Sequence, residues 1–224
     1  LVVTGTHLSQ KFGYTVDEII ADGLAIAHRV AFPLEQDEAG YLSASVGKLG
    51  ESFSAVIALD KPDLLMVLGD RYEILPLVTA AVIQRIPVAH IHGGETTLGA
   101  IDNKFRHAVT QMADIHFVAT ASAYAKVQEL CPDNNEVHHV GSLSVDKLYE
   151  MLLLDRVSLC GKFAWDIKDK AAIITFHPET MSALSPVDQV DQLIAALDDY
   201  ADVFAVITLS NADAGGQSVS KRLV

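Results

Sequence analysis

Short apolar runs alternate with longer stretches in which apolar residues recur every third or fourth position, along almost the whole chain. The short runs predict strands at Leu1–Thr4, Ala25–Ala31, Leu64–Leu68, Val88–Ile91, Ile115–Thr120, Val137–Val140, Ala171–Phe176 and Val203–Leu209. The periodic stretches predict helices at Val16–Ala21, Ser43–Leu59, Tyr72–Gln84, Asn103–Met112, Ala123–Leu130, Val145–Leu153 and Val187–Tyr200. Apolar strands joined by helical crossovers imply a parallel sheet covered on both faces, the doubly wound α/β class. Capping residues agree with the helix starts. Ser185-Pro186-Val187-Asp188 supplies a hydroxyl cap, a Pro at the first position and an acid in the first turn. Ser144 can cap a helix from Val145, and Thr15 with Asp17 and Glu18 can cap the one from Val16.

The segment DRVSLCGKFAWDIKDK is irregular and polar, and a fresh buried strand, AAIITF, follows it. It predicts a first Rossmann-like domain over residues 1–160 and the start of a second over 161–224. The chain opens on a strand and closes on SVSKRLV, an amphipathic helix start without a stop signal, so it reads as part of a longer protein.

Composition narrows the function. Half of the 224 residues are hydrophobic and 20% are charged, enough for a packed core and unlike a disordered chain. Sixteen Lys and Arg against 29 Asp and Glu give a net charge of −13. With no basic run, a nucleic-acid backbone is excluded as partner, since neutralising phosphates needs clustered cations. A nucleotide remains possible, because one pyrophosphate needs only a helix N-terminus and a placed Arg or His. No apolar run approaches the ~20 residues of a membrane span. The two cysteines, Cys131 and Cys160, have no close spacing and no signal peptide beside them, which points to reduced thiols in a cytoplasmic protein. Neither GxGxxG nor GxSxG occurs, so neither a nicotinamide cofactor nor a serine nucleophile is indicated; no cofactor and no metal are expected.

Candidate chemistry gathers between Leu64 and Arg106. One predicted strand empties into Gly69-Asp70-Arg71, the next into His92-Gly93-Gly94-Glu95, and Asp102 opens the helix that follows. Ligands of open α/β sheets bind outside the carboxyl ends of strands, so two such ends carrying Asp, Arg, His and Glu read as an active site. Asp70 can be a base or an N-cap, and Arg71 can pair with it or hold a phosphate. His90 and His92 lie two apart on a strand and therefore on one face, which suits either a metal pair or, for His90, a satisfied polar core. Gly93-Gly94 suggests a backbone that approaches a ligand closely. Asp102 and Arg106 are one helical turn apart and can form an ion pair. His177 and the loop from Ser210 to Gly216 end strands of the second unit, where polar groups can read a sugar or a base.

Seven segments in order carry a resemblance: LVVTG with His7, GDR-E at 69–73, IPVAHIHGGE at 86–95, G-ID-RH at 99–107, GSLSVD at 141–146, FHPET at 176–180 and SNADAG at 210–215. Together they resemble the hydrolysing UDP-N-acetylglucosamine 2-epimerases of the bacterial sialic acid type. The resemblance implies a GT-B architecture of two Rossmann-like domains, a UDP-sugar substrate and a homodimer. It also implies a reaction. A base takes the C2 proton while UDP leaves C1, giving a 2-acetamidoglucal, to which water adds to release N-acetylmannosamine. Carried over by position, it makes Asp70 and Asp102 acid/base groups and His177 the residue beside the departing pyrophosphate. His92 or Glu95 takes the place of a Glu found in the wider group. Arg71 and Asn211 hold the nucleotide-sugar, and His7 lies at the cleft wall. A uridine-diphosphate loop of the family would follow Val224, so the chain alone is expected to be inactive. Three alternatives stand beside this reading: a UDP-diacetamido-trideoxyhexose substrate (as in the legionaminic acid branch), a metal-dependent hydrolase built on His90 and His92, and a non-catalytic nucleotide-sugar binding module.

Overall fold

The structure, a computed structural model, describes residues 1–167, 169–210 and 213–224. The chain forms two compact units, Leu1–Ser142 and Leu143–Val224.

In the first unit, strands β1 (Val2–Val3) and β2 (His28–Arg29) form one small sheet. Strands β3 (Leu65–Leu68), β4 (Val88–Ile91), β5 (Ile115–Val118) and β6 (Val137–His139) form a second, in the order β3-β4-β5-β6. Every pairing is parallel, as the apolar runs predicted. The helices are α1 (Val16–Ala21), α2 (Ala39–Asp60), α3 (Ile74–Ile83), α4 (Asp102–Met112) and α5 (Ala121–Leu130). A core of Phe53, Ile57, Val67, Val78, Ala81, Val88 and Val109 joins α2, α3 and α4 to β3 and β4. Helix α2 buries Leu42, Ser45, Leu49, Phe53 and Ile57, a ladder spaced by three and four residues that keeps one face on the core for 22 residues. It ends where Lys61 turns left-handed (φ 44°) ahead of Pro62.

The second unit holds α6 (Leu143–Glu150), α7 (Arg156–Phe163), β7 (Ala171–Thr175), α8 (Pro186–Asp198), β8 (Phe204–Thr208) and α9 (Gly216–Leu223). Strands β7 and β8 pair in parallel. Ser185 caps α8 as expected, its Oγ accepting from the Asp188 N–H at 3.1 Å.

Four local expectations give way. The strand over Ala25–Ala31 contracts to β2, because β1 offers it only two residues of register, Val2 and Val3. The segment after Leu154 is not wholly irregular: Asp155 accepts from the Ser158 N–H at 2.8 Å and starts α7. Compactness divides the chain after Ser142, whereas the sequence places the start of the second domain at residue 161. Ser144 lies inside α6 rather than at its cap, since the chain turns at Gly141 (φ 87°) and the helix begins two residues earlier than expected. Thr15 precedes α1 but its side chain makes no cap bond; its hydroxyl is bonded to His7 Nδ1 at 2.7 Å.

Candidate active site at the ends of β3 and β4

Register brings the two charged turns together. Leu68 stands opposite Ile91, so Gly69-Asp70 and His92 leave adjacent strands at the same rim. Gly69 N–H donates to Ile91 O and His92 N–H to Phe117 O, both at 2.9 Å, extending the ladder one step past each strand. Asp70 does not cap α3, which begins at Ile74 with Glu73 at its N-cap. It accepts instead from Arg106 Nη2. Helix α4 explains the reach of Arg106: its buried face is Arg106, Val109 and Thr110, spaced by three and four residues, so a guanidinium lies on the sheet-facing side. The Arg106 side chain is 7% exposed, and that of Asp70 is 25% exposed. Arg106 Nε and Nη1 are buried without a protein acceptor, so this cation has donors to spare for a further oxygen.

Arg71 forks onto Glu73, with Nε and Nη2 at 3.1–3.2 Å from its carboxylate. His92 adopts a left-handed backbone (φ 62°), and its Nδ1 bonds Glu95 Oε1 at 2.8 Å. The carboxylate orients the imidazole through Nδ1. Asp102 is half-buried at the first position of α4, one turn before Arg106.

The strand geometry assumed for a His90/His92 metal pair does not hold. Alternation requires extended backbone, and His92 has left it. Both nitrogens of His90 are engaged: Nε2 with Gly69 O at 2.8 Å and Nδ1 with Thr110 Oγ1 at 3.3 Å. Burial pushes the His90 imidazole down to about 4, against a smaller opposing effect of its bond to Gly69. Among the described residues, no three His, Cys, Asp or Glu side chains are grouped to hold a metal. The two glycines also have a reason other than a ligand. A Cβ on Gly94 (φ 76°) would meet Ala123 O at 2.4 Å, and one on Gly93 would meet His90 Nδ1 at 2.9 Å. The turn is threaded between α5 and the His90 ring.

The remaining candidates have surroundings of their own. His7 is exposed on a short 3-10 helix and bonded to Thr15. His177 is exposed just after β7 in the second unit. Asn211 lies outside the described residues. Two residues that sequence reasoning left out of the site, Arg106 and His90, prove to hold the Asp70 turn. Helical spacing places Arg106 one turn from Asp102, and the fold adds the bond to Asp70.

The α/β fold thus brings Asp70, Arg106 and the His92–Glu95 pair to one strand-end rim. The sequence model of the UDP-N-acetylglucosamine 2-epimerase family matches residues 1–224, and the chain belongs to that family. Among curated relatives it is 32% identical over 224 residues to polysialic acid biosynthesis protein P7 of Escherichia coli. It is 30% identical over 223 residues to the hydrolysing GDP/UDP-N,N'-diacetylbacillosamine 2-epimerase of Campylobacter jejuni. Both alignments take in all of this chain, which spans 57–58% of the length of these relatives. The crystal structure of UDP-GlcNAc 2-epimerase from Neisseria meningitidis bound to UDP-GlcNAc superposes with a TM-score of 0.72 at 17% identity, covering 100% of this chain and 62% of that one. That likeness shows the fold, α/β units of the GT-B type, in agreement with the expectation from sequence.

Proposed function

We propose that this chain supplies the acid/base half of a hydrolysing UDP-sugar 2-epimerase, acting on UDP-N-acetylglucosamine to give N-acetylmannosamine and UDP. The observation that carries the reading is the Asp70 carboxylate, held by buried Arg106 at the rim where the His92–Glu95 pair also emerges. Removing an unactivated C2 proton needs a base fixed in place, and the ion pair fixes Asp70 without occupying both of its oxygens. As the C2–H bond breaks, its electrons form the C1–C2 double bond and UDP departs with the C1–O pair. Water then adds, its hydroxyl to C1 and a proton to C2 from the opposite face. In this reading Asp102 and His92, the latter buttressed by Glu95, carry the proton on that second face. The Arg106 guanidinium supplies positive charge beside the Asp70 carboxylate as negative charge develops on the sugar. Arg71, His7 and Asn211 bind the nucleotide-sugar, and His177 assists the leaving pyrophosphate.

A diacetylated UDP-trideoxyhexose is the second reading. It is favoured by the Campylobacter jejuni relative and by a Legionella pneumophila relative, 29% identical, also named a UDP-N,N'-diacetylbacillosamine 2-epimerase. The wider setting we propose is an early step of sialic acid synthesis by a cytoplasmic homodimer. The name of the Escherichia coli relative supports the pathway. Among the described residues no helix is long and apolar enough to cross a membrane.

The test is NMR of the intact protein in D₂O, with each UDP-sugar in turn. Free 2-epimerised sugar deuterated at C2, together with UDP, is the expected product, and the faster substrate names the enzyme. Binding without any release of sugar would leave only the nucleotide-sugar binding module.

A further inference from the structure

His90 is fully buried, yet it lies beneath the rim rather than in it. Gly69 O offers only lone pairs, so the ring nitrogen 2.8 Å from it, Nε2, carries the hydrogen. A neutral imidazole has one donor and one acceptor, so Nδ1 accepts, and the Thr110 hydroxyl 3.3 Å away is its donor. Gly93 leaves space for the ring that no other residue could leave, since its Cβ would sit 2.9 Å from Nδ1 and 3.1 Å from Thr110 Oγ1. Gly69 itself is left-handed (φ 86°), a conformation that a glycine adopts freely and would leave as freely. Its N–H is tied to Ile91 O and its carbonyl to His90, so the glycine is held through both of its peptides, the second of which presents Asp70.

We infer that His90 is a positioning residue for Asp70: through its Nε2–H bond to Gly69 O, and with its tautomer set by Thr110, it holds the Gly69-Asp70 peptide in the orientation that aims the carboxylate. Helix α4 thus grips the turn twice, directly through Arg106 and indirectly through Thr110 and His90. The inference rests on the reading of Asp70 as an acid/base group.

The experiment compares His90→Gln, His90→Met and Asp70→Asn in the intact protein, with ¹⁵N-resolved imidazole NMR of the unsubstituted protein. Gln keeps an N–H at the place of Nε2, whereas Met fills the volume and donates nothing. His90→Met is expected to lower kcat by roughly 10- to 100-fold, with KM for the UDP-sugar within about threefold, because misaiming a catalytic group costs rate more than affinity. His90→Gln is expected to recover most of that loss. A role in stability alone would lower Tm in both variants and leave kcat per folded molecule unchanged, which would overturn the inference. So would a His90→Met kcat within about threefold of the parent, or a Gln variant no better than Met. The NMR needs no variant to fold: a proton on Nδ1 rather than Nε2 ends the inference. If Asp70→Asn keeps parental turnover, it is the base reading that falls. If Asp70→Asn is inactive while His90→Met is not, the positioning role alone is lost.

Discussion

The two compact units were read from equally apolar strands, and they use them differently. Strand β4 is flanked by β3 and β5, and Val88, Ala89 and His90 are all buried. Among the described residues strand β7, with the sequence AAIIT, pairs only with β8, and Ile173 at its centre is 77% exposed. Helices α6 and α7 bury no residue, although Leu148, Tyr149, Val157 and Phe163 face outward from them. A strand is stabilised by what covers its faces and edges, and a two-stranded sheet alone is marginal. The more covered half is also the half that carries Asp70, Arg106 and His92. The proton abstraction we propose for Asp70 needs a carboxylate held in place, and the ladder of the four-stranded sheet runs up to its turn.

The comparison breaks first on activity. Asp70→Asn in the intact protein is expected to lower turnover by ~10²- to 10⁴-fold, the usual worth of a placed general base. His177→Ala, in the less covered unit, should cost ~10²-fold if the imidazole helps UDP depart. Steady-state rates from coupled UDP release measure both, and a change below about threefold removes the corresponding role.

Stability gives the next contrast. Phe53→Ala, at a site 2% exposed in the first core, should cost about 3–5 kcal/mol in urea unfolding. In this 224-residue chain, Ile173→Ala should cost only about 0.5 kcal/mol, as an exposed site does. Equal losses would mean that β7 is covered as well as α2.

A third effect is set by pH. Burial lowers the His90 pKa from 6.5 to about 4, and His116 is lowered for the same reason. The unfolded chain therefore binds more protons than the folded one between these values. Stability is full above pH 6.5 and falls as pH drops toward 4, by up to ~3 kcal/mol from His90. Unfolding midpoints of the parent and of His90→Gln should converge through that window, and a gap independent of pH would contradict the assignment.

The smallest effect tests whether the difference is one of packing alone. Thr120 caps α5 and Ser185 caps α8, each accepting from a backbone N–H at 3.1 Å. Because a cap is local, Thr120→Ala and Ser185→Ala should cost a similar ~1 kcal/mol in the two units. A much larger loss at Thr120 would show that the caps draw on the core around them.

How far the sequence could be read follows from the range of each interaction. Helix α1 at Val16–Ala21 and strand β4 at Val88–Ile91 match their predicted bounds, because periodicity and flanking polar residues are written within a few positions. The Ser185 cap was legible for the same reason. Thr15 was not, because its hydroxyl found His7 eight residues away rather than the helix beside it. Arg106 was legible as a helical neighbour of Asp102, yet its partner Asp70 lies 36 residues upstream.

The residue pattern by itself determined the α/β class, the parallel pairing and the strand ends at which Asp70, His92 and Glu95 appear, since these follow from local periodicity and from the rule of carboxyl-end sites. The tertiary structure alone decided which charges meet. It gave Asp70 to Arg106, Arg71 to Glu73 and His92 to Glu95, and it turned His90 beneath Gly69. Pairings of this kind depend on strand register and on which helix face lies against the sheet, and neither is encoded at any one position of the chain.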